Sequence, residues 1–295
     1  MLHKLRFSPY TSLAPALILI LVMLGASLLY AIAESLGFIS VINQSEVNFK
    51  AWRITLTSDS EFWVSLGFSL WVSITSTILA SIFALLVAVW LSEHRAKSEN
   101  PQSGAKWDTL ALNWNLAFPH LVWATALLLF LSQSGLLARW AASLGIITFT
   151  DQFPVLIRDR FGFGIILHYV TKEIPFLALI ILSILQSQPI GYDVVAENLG
   201  ANRWQKLRYV TIPQVLPALL AGALLVFGFI FSSYEVPALL GIGYPRALPV
   251  LALRFFLNPD LLARSEGMVI SLIITIIVIL VAMVSLKLAD KENKT

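Results

Sequence analysis

Six separate stretches of this chain are apolar for longer than the hydrocarbon core of a bilayer is thick: residues 13–33, 62–91, 110–131, 161–185, 214–240 and 267–288. Crossing that core takes about 20 residues of helix. Lipid offers no partner for an exposed backbone N–H or C=O, so each stretch must be helical wherever it is not enclosed by protein. The expected fold is an all-α membrane protein with six transmembrane helices. Composition agrees: of 295 residues, 58% are hydrophobic and 13% charged, against about 45–50% and about 25% in soluble domains. Too little polar surface is left for a soluble enzyme.

The first stretch imitates a signal peptide, because Lys4 and Arg6 precede it and Ala31-Ile32-Ala33 resembles a cleavage site. Its apolar run extends over 13–30, beyond the roughly 7–15 residues of a signal-peptide core, and reads as a retained helix. With alternating crossings, eleven Lys and Arg residues fall on the side of the termini and eight on the other, leaving Lys172 inside the membrane. That excess puts both termini in the cytoplasm. The connection 92–108 reads as polar and turn-rich, 136–144 as a short surface helix, and 241–263 as a loop broken by Pro245, Pro249 and Pro259.

Several chemistries are missing. The chain has no phosphate-binding G-x-x-x-x-G-K-[ST] loop, no H-E-x-x-H and no G-x-S-x-G. It has no cysteine, and His3, His94, His120 and His168 lack metal-ligand spacing, so neither a metal site nor a catalytic residue is expected. A net charge of +3 spread along the chain makes no nucleic-acid groove. If ATP drives this protein, another subunit must bind it.

The segment before the fifth stretch, from Gln188 to Pro213, carries the most information. Asp193 suits the N-cap of a short helix over 194–199, and Gly200 the left-handed residue that ends one. A second helix can start near Asn202, and Pro213 marks a turn toward the membrane. Val194, Val195, Leu199, Trp204, Leu207 and Val210 are an apolar load that a solvated connection does not need. Trp204 and Leu207 can pack under the protein's own bundle, while the tip around Val194 and Val195 suits a partner's groove.

Here the sequence resembles a known family. Ala196, Leu199-Gly200-Ala201, nine residues from Ala201 to Tyr209, and then Val210-Thr211-Ile212-Pro213 are similar to the EAA loop of ABC importer permeases. The stretch 62–286 resembles their type I core. Lys172-Glu173-Ile174-Pro175-Phe176 and Tyr234-Glu235-Val236-Pro237 resemble segments of the sulfate, molybdate, ferric iron, thiamine and polyamine branch. The family's usual Glu-Ala pair falls on Val194 and Val195, and Asp193 or Glu197 is left to supply the acidic group. The resemblance implies a MetI-like fold. It further implies a second permease subunit, the same or different, two cytoplasmic ABC ATPase subunits carrying ATP and Mg, and an external or periplasmic solute-binding protein. Asp193, Val194, Val195, Ala196, Glu197, Leu199, Gly200, Ala201, Val210 and Pro213 would form the ATPase dock, passing ATPase motion to a bundle in a bacterial inner membrane. The chain would then comprise a tail with the first helix (1–33), an external loop (34–61), a permease core (62–288) containing the coupling loop (187–213), and a cytoplasmic tail (289–295).

Lys172 and Glu173 lie about 17 Å into the fourth stretch at a rise of 1.5 Å per residue. A charge at that depth costs about 2.5–3.5 kcal/mol on insertion scales, so both should face protein or water. Neighbours on a helix point about 100° apart, so the two need different partners. His168 is one turn from Lys172, and His120 is at a depth to meet Glu173. Pro175 cannot donate to the carbonyl of Thr171, nor Pro119 to that of Asn115, which weakens both helices beside these charges. Lys172 and Glu173 either anchor helices to one another or, with His120 and Pro175, line a pathway or gate. Tyr234 and Glu235, late in the fifth stretch, suit an outer gate, a contact with a binding protein, or a helix end reaching water. Ser65, Ser69, Ser73, Thr77 and Ser81, four residues apart, read as a close-packing stripe. An ion-gradient transporter using His120, Lys172 and Glu173 as a relay, or a non-transporting scaffold subunit, remain as alternatives.

Overall fold

The computed structural model describes residues 9–38, 47–57, 60–97, 101–187 and 192–292, and every regular element among them is helical. The helices are α1 (Pro9–Ser35), α2 (Lys50–Thr55), α3 (Glu61–Lys97), α4 (Pro101–Ala117), α5 (His120–Leu131), α6 (Leu136–Ser143) and α7 (Phe163–Ser187). They continue as α8 (Tyr192–Asn198), α9 (Arg203–Lys206), α10 (Ile212–Ser232), α11 (Glu235–Leu240), α12 (Leu248–Phe256) and α13 (Leu261–Glu292). Lys4, Arg6, Lys294 and the start of the loop at Gln188 lie outside the described residues. Among the described residues, six segments are long and apolar enough to cross a membrane: Leu13–Ser35, Glu61–Arg95, His120–Ser143, Phe163–Gln186, Arg203–Ser232 and Ala263–Leu288.

The chain divides into two compact units, 1–63 with 251–273 and 64–250 with 274–295. In the first, α1 exposes its apolar surface all round, with Leu17 to Leu24 each more than half exposed. Such a surface suits lipid. The far end of α1 is tied down by polar contacts: Arg264 Nε lies 3.4 Å from the buried carboxylate of Glu34, and its guanidinium sits 4.6 Å from the Phe256 ring. Trp52 Nε1 donates to Ser35 Oγ at 3.4 Å, and Arg254 pairs with Glu61 at 2.7 Å.

The second unit is built around α7, which packs against α4, α5, α10 and α11 and buries Ile165, Tyr169, Leu177 and Ile181. Close approach requires small residues. A Cβ at Gly222 of α10 would meet Ile180 Cδ1 of α7 at 2.9 Å and Leu177 Cδ2 at 3.2 Å. On α3, Ser65, Ser69, Ser73 and Thr77 are buried, and the same helix buries Ala80, Ala84 and Ala88 completely. Packing is thus the observed use of the serine stripe, with Ser69 Oγ also accepting from the Leu248 N–H at 2.7 Å.

Four boundaries differ from expectation, each at a proline or a serine. The connection 92–108 is mostly helix, because α3 continues to Lys97 and α4 opens on Pro101. Proline at a first helical position removes an N–H that had no partner anyway, so it starts a helix without loss. The stretch 110–131 is not one helix: α4 ends at Ala117 and α5 begins at His120, with Pro119 extended between them (φ −57, ψ 146). The stretch 214–240 breaks after Ser232, where Ser233 is extended, and α11 starts afresh. Within 241–263, α12 forms with Pro249 in its first turn, where proline is tolerated. The surface helix expected at 136–144 is α6.

Candidate functional site

Two polar assemblies stand out in the second unit, one inside the bundle and one at the α8–α9 corner. The first forms where α4, α5 and α7 meet around their prolines. Pro175 leaves the Thr171 carbonyl without its helical donor, and Asn115 Nδ2 of α4 donates to it at 3.2 Å. Pro119 likewise has no N–H for the carbonyl of Asn115, which instead accepts from the Phe118 N–H at 3.3 Å and from Lys172 Nζ of α7 at 2.7 Å. The same ammonium donates to Phe118 O at 2.7 Å, a carbonyl lying between α4 and α5. Each proline break is therefore closed by a side chain of the other helix. Lys172 is 2% exposed, and two carbonyl dipoles replace part of the water its charge has lost. Trp123 Nε1 adds a bond to Thr171 Oγ1 at 2.9 Å. With its orphaned carbonyl satisfied, α7 runs unbroken through the buried Pro175.

Beside this joint lies a pocket of about 510 Å³. Its polar lining is His120, Lys172 and Glu173, and three phenylalanines, Phe118, Phe176 and Phe229, supply aromatic walls. Glu173 and Lys172, adjacent in sequence, do take different partners as helix geometry requires. Glu173 Oε1 lies 3.9 Å from His120 Nε2, too far for a hydrogen bond. His120 Nδ1 is 3.2 Å from His168 Nε2, so one ring donates and the other accepts. The His120 ring also lies 4.9 Å, centroid to centroid, from Phe229 of α10.

The structure thus brings together His120, Lys172, Glu173 and Pro175. Tyr234 and Glu235 do not line the pocket. Tyr234 is partly exposed at the break after α10, and Glu235 occupies the first turn of α11 rather than the end of a long helix. Residue-type reasoning missed Asn115, Trp123 and Phe229 as members of the cluster. A signal existed for Asn115 and Thr171, since each lies four positions before a proline and must find another donor for its carbonyl.

At the second assembly, α8 opens at Tyr192, which puts Asp193 inside the helix rather than at its N-cap and Val194 in the same first turn. The helix ends as expected on Gly200, at φ +78°. Gly200 N–H bonds to Glu197 O at 2.9 Å and Ala201 N–H to Ala196 O at 2.9 Å, the double bond pattern of a Schellman cap. Asn202 then caps α9: its side chain accepts from the Gln205 N–H at 2.8 Å, and the Gln205 side chain accepts from the Asn202 N–H at 2.9 Å. Lys206 Nζ pairs with Glu197 Oε1 at 2.9 Å, pinning one helix of the corner to the other.

The expected turn at Pro213 is absent. Helix α9 passes through a π-helical turn, Leu207–Thr211, directly into α10, with Pro213 in the first turn of α10. Proline has no N–H for the Tyr209 carbonyl, and the wider π turn is a means of absorbing that loss without bending away. Val210 lies half-buried in this turn. Ala196 faces inward, 9% exposed, whereas Val195, Leu199, Trp204 and Tyr209 are 55, 82, 68 and 73% exposed. Trp204 therefore does not pack under its own bundle, while Leu207 is half-buried.

Residues 115–294 match the family described as the binding-protein-dependent transport system inner membrane component. The chain is 30% identical over 220 residues to the inner membrane ABC transporter permease protein YnjC of Escherichia coli, a match covering 71% of this chain and 38% of that one. It is 30% identical over 192 residues to the thiamine transport system permease protein ThiP of Haemophilus influenzae, covering 65% and 33%. The chain thus spans between a third and two fifths of the length of these relatives. In fold it is similar to a bacterial alginate ABC transporter solved in complex with an alginate pentasaccharide-bound periplasmic protein. There the TM-score is 0.75 at 17% identity, over 97% of this chain and 95% of that one.

Proposed function

The chain belongs to the binding-protein-dependent transport system inner membrane components, and from that premise we propose that it forms one half of the solute route of an ATP-driven importer, with residues 192–213 as the grip of its ATPase. As a type I ABC importer permease with the MetI-like fold, it is a multi-pass inner-membrane transport subunit rather than an enzyme. Neither an ion-gradient relay nor a scaffold role has support among its relatives.

One observation carries the coupling role: a helical path runs without interruption from Arg203 to Ser232, from the capped corner into a membrane-crossing helix. A push on the corner is therefore delivered along a stiff rod. Exposed Val195 and Leu199 on the corner and Trp204 beside them offer apolar surface for a groove on the partner. ATP and Mg reside on two cytoplasmic ATPase subunits whose approach moves this corner. A second permease subunit, identical or different, completes the route, and an external or periplasmic binding protein delivers solute. The Lys and Arg excess supports cytoplasmic termini, with 34–61 as an external loop, 62–288 as the core and 289–295 as a cytoplasmic tail.

Val195→Cys, placed in the otherwise cysteine-free chain, tests the dock. In membranes containing the ATPase, a short bifunctional maleimide should capture that subunit, more strongly with ATP than without. Capture that is equally strong from a cysteine at Trp63 would overturn the assignment.

A further inference from the structure

We propose that the pocket beside the proline joint binds an organic cation carrying an aromatic or similarly flat apolar group, with Glu173 as its counter-charge. On the reading that this pocket lines the solute route, the transported solute shares that chemistry. The pocket holds both an ammonium and a carboxylate, and the two are not equally available. Lys172 is committed, with two of its three N–H groups on Asn115 O and Phe118 O at 2.7 Å, so the negative ends of two dipoles face its charge. Glu173 is 7% exposed and lines the pocket, yet neither of its carboxylate oxygens accepts a hydrogen bond from any described residue. Its nearest basic nitrogen is His120 Nε2 at 3.9 Å, beyond hydrogen-bond reach. A buried carboxylate lacking donors is a poor resting arrangement and a good receptor for a ligand that brings them.

The walls fit the same ligand. Phe176, three residues after Glu173, lies on its face of α7, while Phe118 and Phe229 approach from the α4–α5 break and from α10. Aromatic faces attract cations through their quadrupoles and accept flat apolar groups equally well, whereas an anion would meet both the rings' negative faces and Glu173. At about 510 Å³ the space is that of a medium-sized organic molecule.

The test uses the full chain in lipid nanodiscs, with empty nanodiscs subtracting partition into lipid. Equilibrium dialysis compares benzyltrimethylammonium with phenylacetate. The expected result is saturable binding of the cation alone, weakened about tenfold or more in Glu173→Gln, which keeps the shape and removes the charge. Phe229→Leu should weaken it about threefold to tenfold, as loss of one cation–π wall does. Saturable binding of phenylacetate instead, no saturable binding of the cation, or equal binding by Glu173→Gln overturns the proposal. Uptake by the assembled transporter separates this from the route reading. Selective cation binding with normal uptake in Glu173→Gln would remove the pocket from the route but keep its ligand class. Impaired uptake in Glu173→Gln without cation binding in the wild type would keep the route and discard the class.

Discussion

Lys172 and Asn115 are joined in both directions: the lysine ammonium donates to the asparagine carbonyl, and the asparagine amide donates to the carbonyl of Thr171, the residue before the lysine. The two bonds close two proline breaks at once. Separating the two helices takes the amide from the Thr171 carbonyl and the ammonium from the Asn115 carbonyl. Lys172→Met should therefore destabilise the protein by about 1.5–3 kcal/mol, because two charge-assisted bonds are lost and the Asn115 carbonyl keeps only the Phe118 N–H at 3.3 Å. Asn115→Leu should cost less, about 1–2 kcal/mol, since only the Thr171 carbonyl loses its donor. Thermal unfolding of both single variants and the double variant should show a coupling of about 0.5–3 kcal/mol, the range for residues sharing one network. Additive losses would mean that the two bonds act independently.

At the α8–α9 corner, Gly200 sits at φ +78° with open space where a Cβ would go, so backbone strain rather than a clash decides what it tolerates. A β-branched side chain there costs about 1–2 kcal/mol in the left-handed region. Asparagine is the residue that next best accepts it. In the reconstituted transporter, Gly200→Val should lower solute moved per ATP hydrolysed, while Gly200→Asn keeps most of it. Equal coupling in both variants would remove the corner from the coupling path.

Pro213→Ala restores an N–H able to reach the Tyr209 carbonyl, which allows the π turn to relax toward an α-helix. Losing the extra residue from that turn rotates the corner by about 100° relative to α10. The variant should reach the membrane normally and still fail to couple, as measured by uptake against ATPase activity. Normal coupling would show that the corner's orientation is set by other contacts.

Gly222 holds α10 against α7, with a notional Cβ at 2.9 Å from Ile180 Cδ1. That neighbour is the tip of a flexible side chain, so Gly222→Ala should be mild. Gly222→Leu should cost about 1–3 kcal/mol through overpacking. The contrast is read from the midpoints of thermal unfolding in detergent.

Within the first unit, two arginine pairs should behave differently because their burial differs. Arg254 pairs with Glu61 at a partly exposed site, with 55% and 22% of the side chains accessible, and Arg254→Met should cost at most about 1 kcal/mol. Arg264→Met removes the cation facing the carboxylate of Glu34, whose side chain is 3% accessible and keeps only its hydrogen bond with Tyr30, and should cost about 2 kcal/mol or more. Similar unfolding midpoints for the two variants would contradict this ordering.

The sequence by itself determined the solvent and the class of the protein. Apolar runs longer than a bilayer core leave helices as the only way to satisfy the backbone, and the spacing from Gly200 to Pro213 carries the family resemblance whatever the surrounding packing. It also showed where the trouble lies, since Pro119 and Pro175 deny the carbonyls of Asn115 and Thr171 their donors four residues on. Only the tertiary structure decided which side chains reach those carbonyls, because these donors come from more than fifty positions away on another helix. For the same reason it alone separated Lys172 from Glu173. Side by side in the chain and equally buried by depth, they differ because one turns toward two carbonyls and the other toward an aromatic-walled pocket.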